Sequence, residues 1–411
     1  MNTLTQNLEK YAELIIKSGC NLQEGQELFL AVSTDTYEFA RIITAEAYRQ
    51  GARRVTVHIV DEKISRLHYE HCALEVFESF PEWQAMLNNS MAAKGAAILG
   101  ITSEDPLALV GIDQNKLVAT ARASYMACKP MHDAIAEGKL VWCYAGAAAP
   151  DWASYVFPDL PVDEAVSRLW QEIFATVRVD KDDPVAEWEA HRRSFNERKA
   201  WLNSQAFDSL HYTNSLGTDL AVGLNRKGLW QGGGDVTIDG REFFPNMPTE
   251  EIFTTPDRLR ANGKVCSSMP LIHYGSPIED FSITFKDGKV TDCAAKVGQE
   301  VLEAVFSVDE GAQRLGECAL VPWSSPIQQS GILFYSTLYD ENASCHLAVG
   351  KGFSDCFEGG QMMSEDELEE AGVNKSATHV DFMIGTADLC IDGIMPDGQE
   401  IPLFKDGEWA F

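Results

Sequence analysis

The side chains capable of chemistry gather in the C-terminal half of the chain. The stretch NMPTEEIFTTPD (246–257) holds two adjacent carboxylates, Glu250 and Glu251, between prolines and among apolar neighbours. Like charges repel and are costly to bury, so the pair is compatible with a surface turn or with a counter-cation. Further on, LGECALVPW sets Glu317 in an apolar run, DENASCHLAVG carries Glu341 and His346, and THVDFMIG carries His379 and Asp381. Residues two apart on a strand face the same way, so His379 and Asp381 can reach a common point. A carboxylate inside an apolar strand needs a cation or several donors, unless it begins the strand and faces water. His346 also reads as a core histidine after an Asn-Ala-Ser-Cys turn, and His-x-Asp as a structural hydrogen-bonded pair.

Glu251, Glu317, Glu341 and Asp381 with His346 and His379 supply four carboxylates and two imidazoles, enough to balance two divalent ions. Metal-assisted hydrolysis at a two-ion site uses about this set, with the ions roughly 3.5–4 Å apart and a water or hydroxide held between them. Mixed oxygen and nitrogen ligation without thiolate suits zinc, cobalt or manganese. Cys345 has no second cysteine at ligand spacing and reads as a buried, inert thiol. QGGGD (231–235) lacks the Lys-Ser/Thr of a phosphate loop and reads as a turn. No serine or cysteine stands in a recognisable nucleophile elbow. Trp323 and Trp409 read as packing residues of the core or of an interface, or as walls of a pocket.

These residues need a scaffold, and 411 residues are too many for one ordinary core. Composition is that of a soluble globular protein, with 45% hydrophobic and 23% charged residues. The 62 acids against 33 Lys and Arg give a formal charge of −29, which disfavours nucleic acid and anionic membranes as partners and favours cations. Ten cysteines without a CxxC pair point to reduced thiols in a cytosol. The N-terminus reads as an amphipathic helix rather than a signal peptide, and no apolar run is long enough to span a bilayer, so a cytoplasmic location is expected.

ELFLAVS (27–33), TYEFARIITAEAYRQG (36–51) and RRVTVHIVD (53–61) read as a β-α-β unit, hence a parallel sheet. AAILGITSED (96–105) and KLVWCYAGAA (139–148) read as further strands, with the helical QNKLVATARASYMACKPMHDAIAEG between them. An α/β domain is therefore expected over 1–180, and a connecting helical segment over 181–206. The stretch 162–179 is likewise read as a connecting helix. From Phe207 alternating strands and Gly-rich turns begin, with two Lys-Asp-Gly hairpin triplets, so 207–411 is expected to be a β-rich α+β domain carrying the metal site.

NMPTEEIFTTPD, LGECALVP, LYDENASCHLAVG and HVDFMIG, in that order, resemble the metallo-aminopeptidase family of aminopeptidase T and aminopeptidase S. The resemblance spans essentially the whole chain. It implies a cytoplasmic, homodimeric exopeptidase that hydrolyses N-terminal amino acids from peptides with a free N-terminus, through a hydroxide activated by two divalent ions (zinc, cobalt, manganese or magnesium). Carried over, the ligands are Glu251, Glu317, Glu341, His346, His379 and Asp381. Glu250 is read as the general base, because a neighbour of a ligand can reach the reacting water without holding the metal; the reverse division of the pair stays open. The family places a catalytic tyrosine seven residues after the first ligand histidine, where this chain has Phe353. Phenylalanine donates no hydrogen bond, and losing one donor to an oxyanion typically lowers turnover by on the order of 10²–10³. Tyr274, Tyr335 and Tyr339 are the candidates to replace it. The departure opens an alternative: a protein with the fold and metals but weakened or lost peptidase activity, acting as a binding or regulatory partner, or narrowed to dipeptides or another small amide.

Overall fold

The computed structural model describes residues 3–103, 105–273 and 275–411. Tyr274 lies outside the described residues, as does Glu104 in the 96–105 stretch. The chain forms a mixed α/β protein with one parallel sheet and several antiparallel sheets, divided into two compact units. One comprises the residues up to His191 with Gly234–Pro248; the other comprises Arg192–Gly233 and Thr249–Phe411.

In the first unit, Glu27–Ser33, Arg54–Val60, Ala97–Thr102 and Trp142–Gly146 pair in parallel, with Glu27–Ser33 between Arg54–Val60 and Ala97–Thr102. The apolar run of ELFLAVS buries Leu28, Phe29, Leu30 and Val32, as a strand enclosed on both sides must. Tyr37–Arg49 returns the chain as a helix that buries Phe39, Ala40, Ile43 and Ala47, which fall on one helical face. The single helical reading of 114–138 divides into Gln114–Ala127 and Lys129–Ala136. Pro130 explains the break: without an N–H it cannot extend the preceding helix, but it fits a first turn. Val162–Thr176 is not a connector. Its Trp170 and Phe174 pack with Phe39 and Tyr11 inside this unit.

The span 207–411 drawn from sequence texture differs from the second unit in two places. Gly234–Pro248 returns to the first unit, where Asn246–Met247 adds a fifth parallel strand against Trp142–Gly146 and the Tyr144 amide donates to the Pro245 carbonyl at 2.7 Å. At the other end the unit begins at Arg192, within the Pro184–Gln205 helix, whose Phe195 and Leu202 enter the second core.

That core lies between two antiparallel sheets, one of nine strands and one of five. Both Lys-Asp-Gly triplets close hairpins: Asp287 and Gly288, and Asp406 and Gly407, have φ between 50° and 76°. Positive φ at both central positions suits the twist of paired strands. The five-stranded sheet runs His379–Met383, His346–Gly350, Leu315–Leu320, Ile252–Thr254, Gln231–Gly232. Gln231–Gly232, expected as a turn, is its edge strand, paired with Ile252 and Phe253. Among the described residues, no helix is long and apolar enough to cross a membrane.

Candidate metal centre

Register in the five-stranded sheet decides which side chains meet. Phe253, Ala319, His346 and Met383 lie opposite one another across four strands. One step along, Glu317, Ala348 and Asp381 form a second row, and His379 pairs with Gly350. Residues in register, and residues two apart on a strand, share a face. All these side chains therefore project from one face. The alternate residues Ile252, Cys318, Leu320, Leu347, Val349, Val380 and Phe382 enter the core on the other face. Ala319 and Ala348 stand where larger side chains would fill the space, which leaves room for the polar atoms to converge.

Glu251, one residue before its strand, reaches the same place. Gly232 on the neighbouring strand permits it: φ is +122°, and a Cβ there would lie 2.3 Å from the Glu251 carbonyl oxygen. No other residue type accommodates that approach. Glu250 and Glu251 are 5% and 8% exposed, which eliminates the surface-turn reading of the pair. Glu317 is 4% exposed within its strand, so it does not begin the strand facing water.

Among the described residues, potential ligand atoms within 4.8 Å of one another form two groups: Glu251, Glu317 and His346, and Glu317, His379 and Asp381. Glu317 belongs to both. His346 Nε2 lies 3.1 Å from Glu251 Oε2, and His379 Nε2 lies 3.1 Å from both Glu317 Oε2 and Asp381 Oδ1. The other ring nitrogens face backbone carbonyls, His346 Nδ1 that of Ser344 at 3.1 Å and His379 Nδ1 that of Lys351 at 2.7 Å. A carbonyl only accepts, so each Nδ1 carries a proton and donates, turning Nε2 toward the carboxylates. Glu341 and Glu250 stand outside these groups. Glu341 opens the short 3₁₀ turn Glu341–Ala343 before the His346 strand, and the Glu250 amide donates to Asn342 Oδ1 at 2.7 Å.

The electrostatics record crowded negative charge. Burial, then Asp381 and Glu251, raise the Glu317 carboxyl to about 7 against the pull of His379. Glu341 is pushed well up by burial and by Glu251 and Asp381. Burial alone would lower the two imidazoles, but Glu251 raises His346 to about 10, and Asp381 with Glu317 raises His379 to about 11. Divalent cations would relieve this repulsion and replace the imidazole protons. The donor set therefore fits hard or borderline metal ions.

Phe353 borders the cluster. Its ring centroid lies 4.9 Å from that of His379 and 5.5 Å from that of Phe253, edge to face with the latter. Thr255 Oγ1 accepts from the Phe353 amide at 2.8 Å and fixes the backbone there. Tyr339 is wholly buried and stacked on Phe334, while Tyr335 adopts φ of 56°. Cys345 lies on the core side, its thiol donating to the Val321 carbonyl at 3.2 Å and pushed up to about 12 by burial. Trp409 packs on Phe404 and Phe411. Thr255 and Asn342 lie inside the quoted stretches, but each meets its partner, the Phe353 amide and the Glu250 amide, from a segment distant in the chain, which spacing alone does not reveal.

Known proteins match this chain from end to end. It is 44% identical to aminopeptidase AmpS of Bacillus subtilis (strain 168), covering 100% of each chain. It is 41% identical to aminopeptidase T of Thermus thermophilus, again over 100% of each. The solved structure of wild-type AmpT from Thermus thermophilus superimposes with a TM-score of 0.93 at 40% identity, covering 100% of both chains. With the profile of the thermophilic metalloprotease (M29) family matching residues 4–409, the chain belongs to the M29 family of metalloproteases.

Proposed function

We propose that this chain is a metal-dependent aminopeptidase that hydrolyses the N-terminal peptide bond of substrates with a free N-terminus. The observation that carries the reading is the convergence of Glu251, Glu317, His346, His379 and Asp381 on one sheet face, in a chain that matches aminopeptidases along its whole length. Glu251 and His346 would hold one divalent ion, His379 and Asp381 a second, with Glu317 common to both and Glu341 completing the set. Bound there, such ions would supply Lewis-acid polarisation of the scissile carbonyl and lower the pKa of a water toward neutral pH. Zinc, cobalt, manganese and magnesium are the candidates.

The chain's own residues do the rest. Surplus carboxylate charge draws in the substrate's N-terminal ammonium. Glu250 takes a proton from the attacking water as the oxygen–carbon bond forms, and returns it to the amine as the carbon–nitrogen bond breaks. Nε2 of each histidine is kept available by the backbone carbonyl that holds Nδ1. Phe353 supplies no hydroxyl, which is what favours a reading without turnover; the chain's full-length similarity to aminopeptidases weighs against it. A homodimer in the cytoplasm, with neither nucleic acid nor membrane as partner, completes the proposal; light scattering checks the dimer.

Glu250→Gln tests the mechanism. Hydrolysis of aminoacyl-arylamides should fall by at least about 10², within the range for general acid–base groups, while elemental analysis finds metal content unchanged. Loss of metal would show Glu250 to be the ligand and Glu251 the base. Comparing long peptides with dipeptides separates a general aminopeptidase from a narrowed one.

A further inference from the structure

We infer that Asn342 is a positioning residue that sets the Glu250–Glu251 step against Glu341. The inference rests on the roles proposed above for those glutamates. Asn342 is 0% exposed. Its Oδ1 accepts from the Glu250 amide at 2.7 Å, while its Nδ2 donates to the Leu338 carbonyl at 3.1 Å and lies 3.4 Å from Glu341 Oε1. Its own carbonyl accepts from the Ser325 hydroxyl at 2.6 Å, and the same hydroxyl oxygen accepts from the Ile327 amide at the start of the Pro326–Ser330 helix.

These partners leave one orientation for the amide. An N–H must meet an oxygen, and a carbonyl and a carboxylate must meet an N–H, so the oxygen faces Glu250 and the nitrogen faces Leu338 and Glu341. One planar group thus sets the distance between the proposed base and a proposed ligand from different segments. Leucine, of similar size, would leave the Glu250 amide unsatisfied in a buried place. Aspartate keeps the acceptor but turns an oxygen toward Glu341. Groups that orient metal ligands typically change metal affinity or activity by 10–100-fold when removed.

The test uses the full-length enzyme with Asn342→Ala and Asn342→Asp beside wild type. For each, kcat and KM are measured at saturating metal, zinc affinity of the metal-free protein by competition with a chromophoric chelator, and thermal unfolding. Asn342→Ala should lower kcat roughly 10–100-fold, leave KM within about twofold, and weaken zinc binding. Asn342→Asp retains the Glu250 acceptor but sets an oxygen against the Leu338 carbonyl and Glu341, so it should lower kcat and weaken zinc binding at least as much as alanine, again with KM within about twofold. If either variant leaves kcat and zinc affinity unchanged, the inference is overturned. Should the alanine variant not fold, the aspartate arm alone decides: a loss of roughly tenfold or more in kcat and in zinc affinity supports the inference, and a smaller loss in either overturns it. Wild-type zinc binding and the Glu250→Gln result report separately on the proposed function, so the two ideas fail independently.

Discussion

At the scale of single residues the question centres on Phe353. Its ring lies against His379 and Phe253, where a tyrosine would carry a hydroxyl at the ring's far end. Nothing need move in the backbone to install one, because Thr255 holds residue 353 through main-chain atoms. Phe353→Tyr should therefore raise kcat by on the order of 10²–10³, without altering metal content, if an oxyanion donor is what the chain lacks. An unchanged kcat in an already active enzyme would show that another donor serves. Much of this neighbourhood was legible in the sequence. Acids and imidazoles in apolar strands stand out because burial makes them expensive, and Glu251, Glu317, His346, His379 and Asp381 are drawn to one place. Asn342 was not legible, since an asparagine declares its purpose only through the groups it meets.

At the scale of elements, the strand His379–Met383 depends on how the chain reaches it. Asp309 accepts from the Ala377 amide at 2.7 Å and from the Ser376 hydroxyl and the Ala312 amide at 2.8 Å each. Burial would raise its carboxyl, but these donors hold it below the ordinary carboxylate value. With the folded value depressed, the stabilisation is present above about 3.9 and is lost as pH falls through the folded value. Asp309→Asn should lower stability at pH 7 by about 1 kcal/mol, a half-exposed group being partly screened. That gap to wild type should persist down to about pH 3.9 and close as the pH falls further, through the depressed folded value, as read from thermal unfolding. Strands with apolar runs or clear alternation, such as 27–33, are visible in the sequence. Two-residue strands such as Asn246–Met247 and Gln231–Gly232 are not, because two residues have no period. Their pairing is decided by neighbours distant in the chain.

At the scale of the whole molecule, a formal charge of −29 and a buried knot of carboxylates act in the same direction. A divalent ion that binds only the folded chain stabilises it by RT ln(1 + [L]/Kd), about 2.7 kcal/mol when present at a hundred times Kd. Chelation should therefore lower the unfolding temperature by several degrees, and restoring zinc, cobalt or manganese should bring it back. A melting curve indifferent to chelator would count against a resident metal.

The return of Gly234–Pro248 to the first unit has a further consequence, in the order of events during synthesis. The parallel sheet lacks its fifth strand until Met247 has been made, although its other four are complete by Gly146. In the interval the ribosome must deliver all of Arg192–Gly233, which belongs to the other unit. Neither unit can finish as an N-terminal piece while the chain is still short. The Trp142–Gly146 edge waits unpaired through roughly the length of a small domain, the kind of edge that invites association with a neighbouring chain.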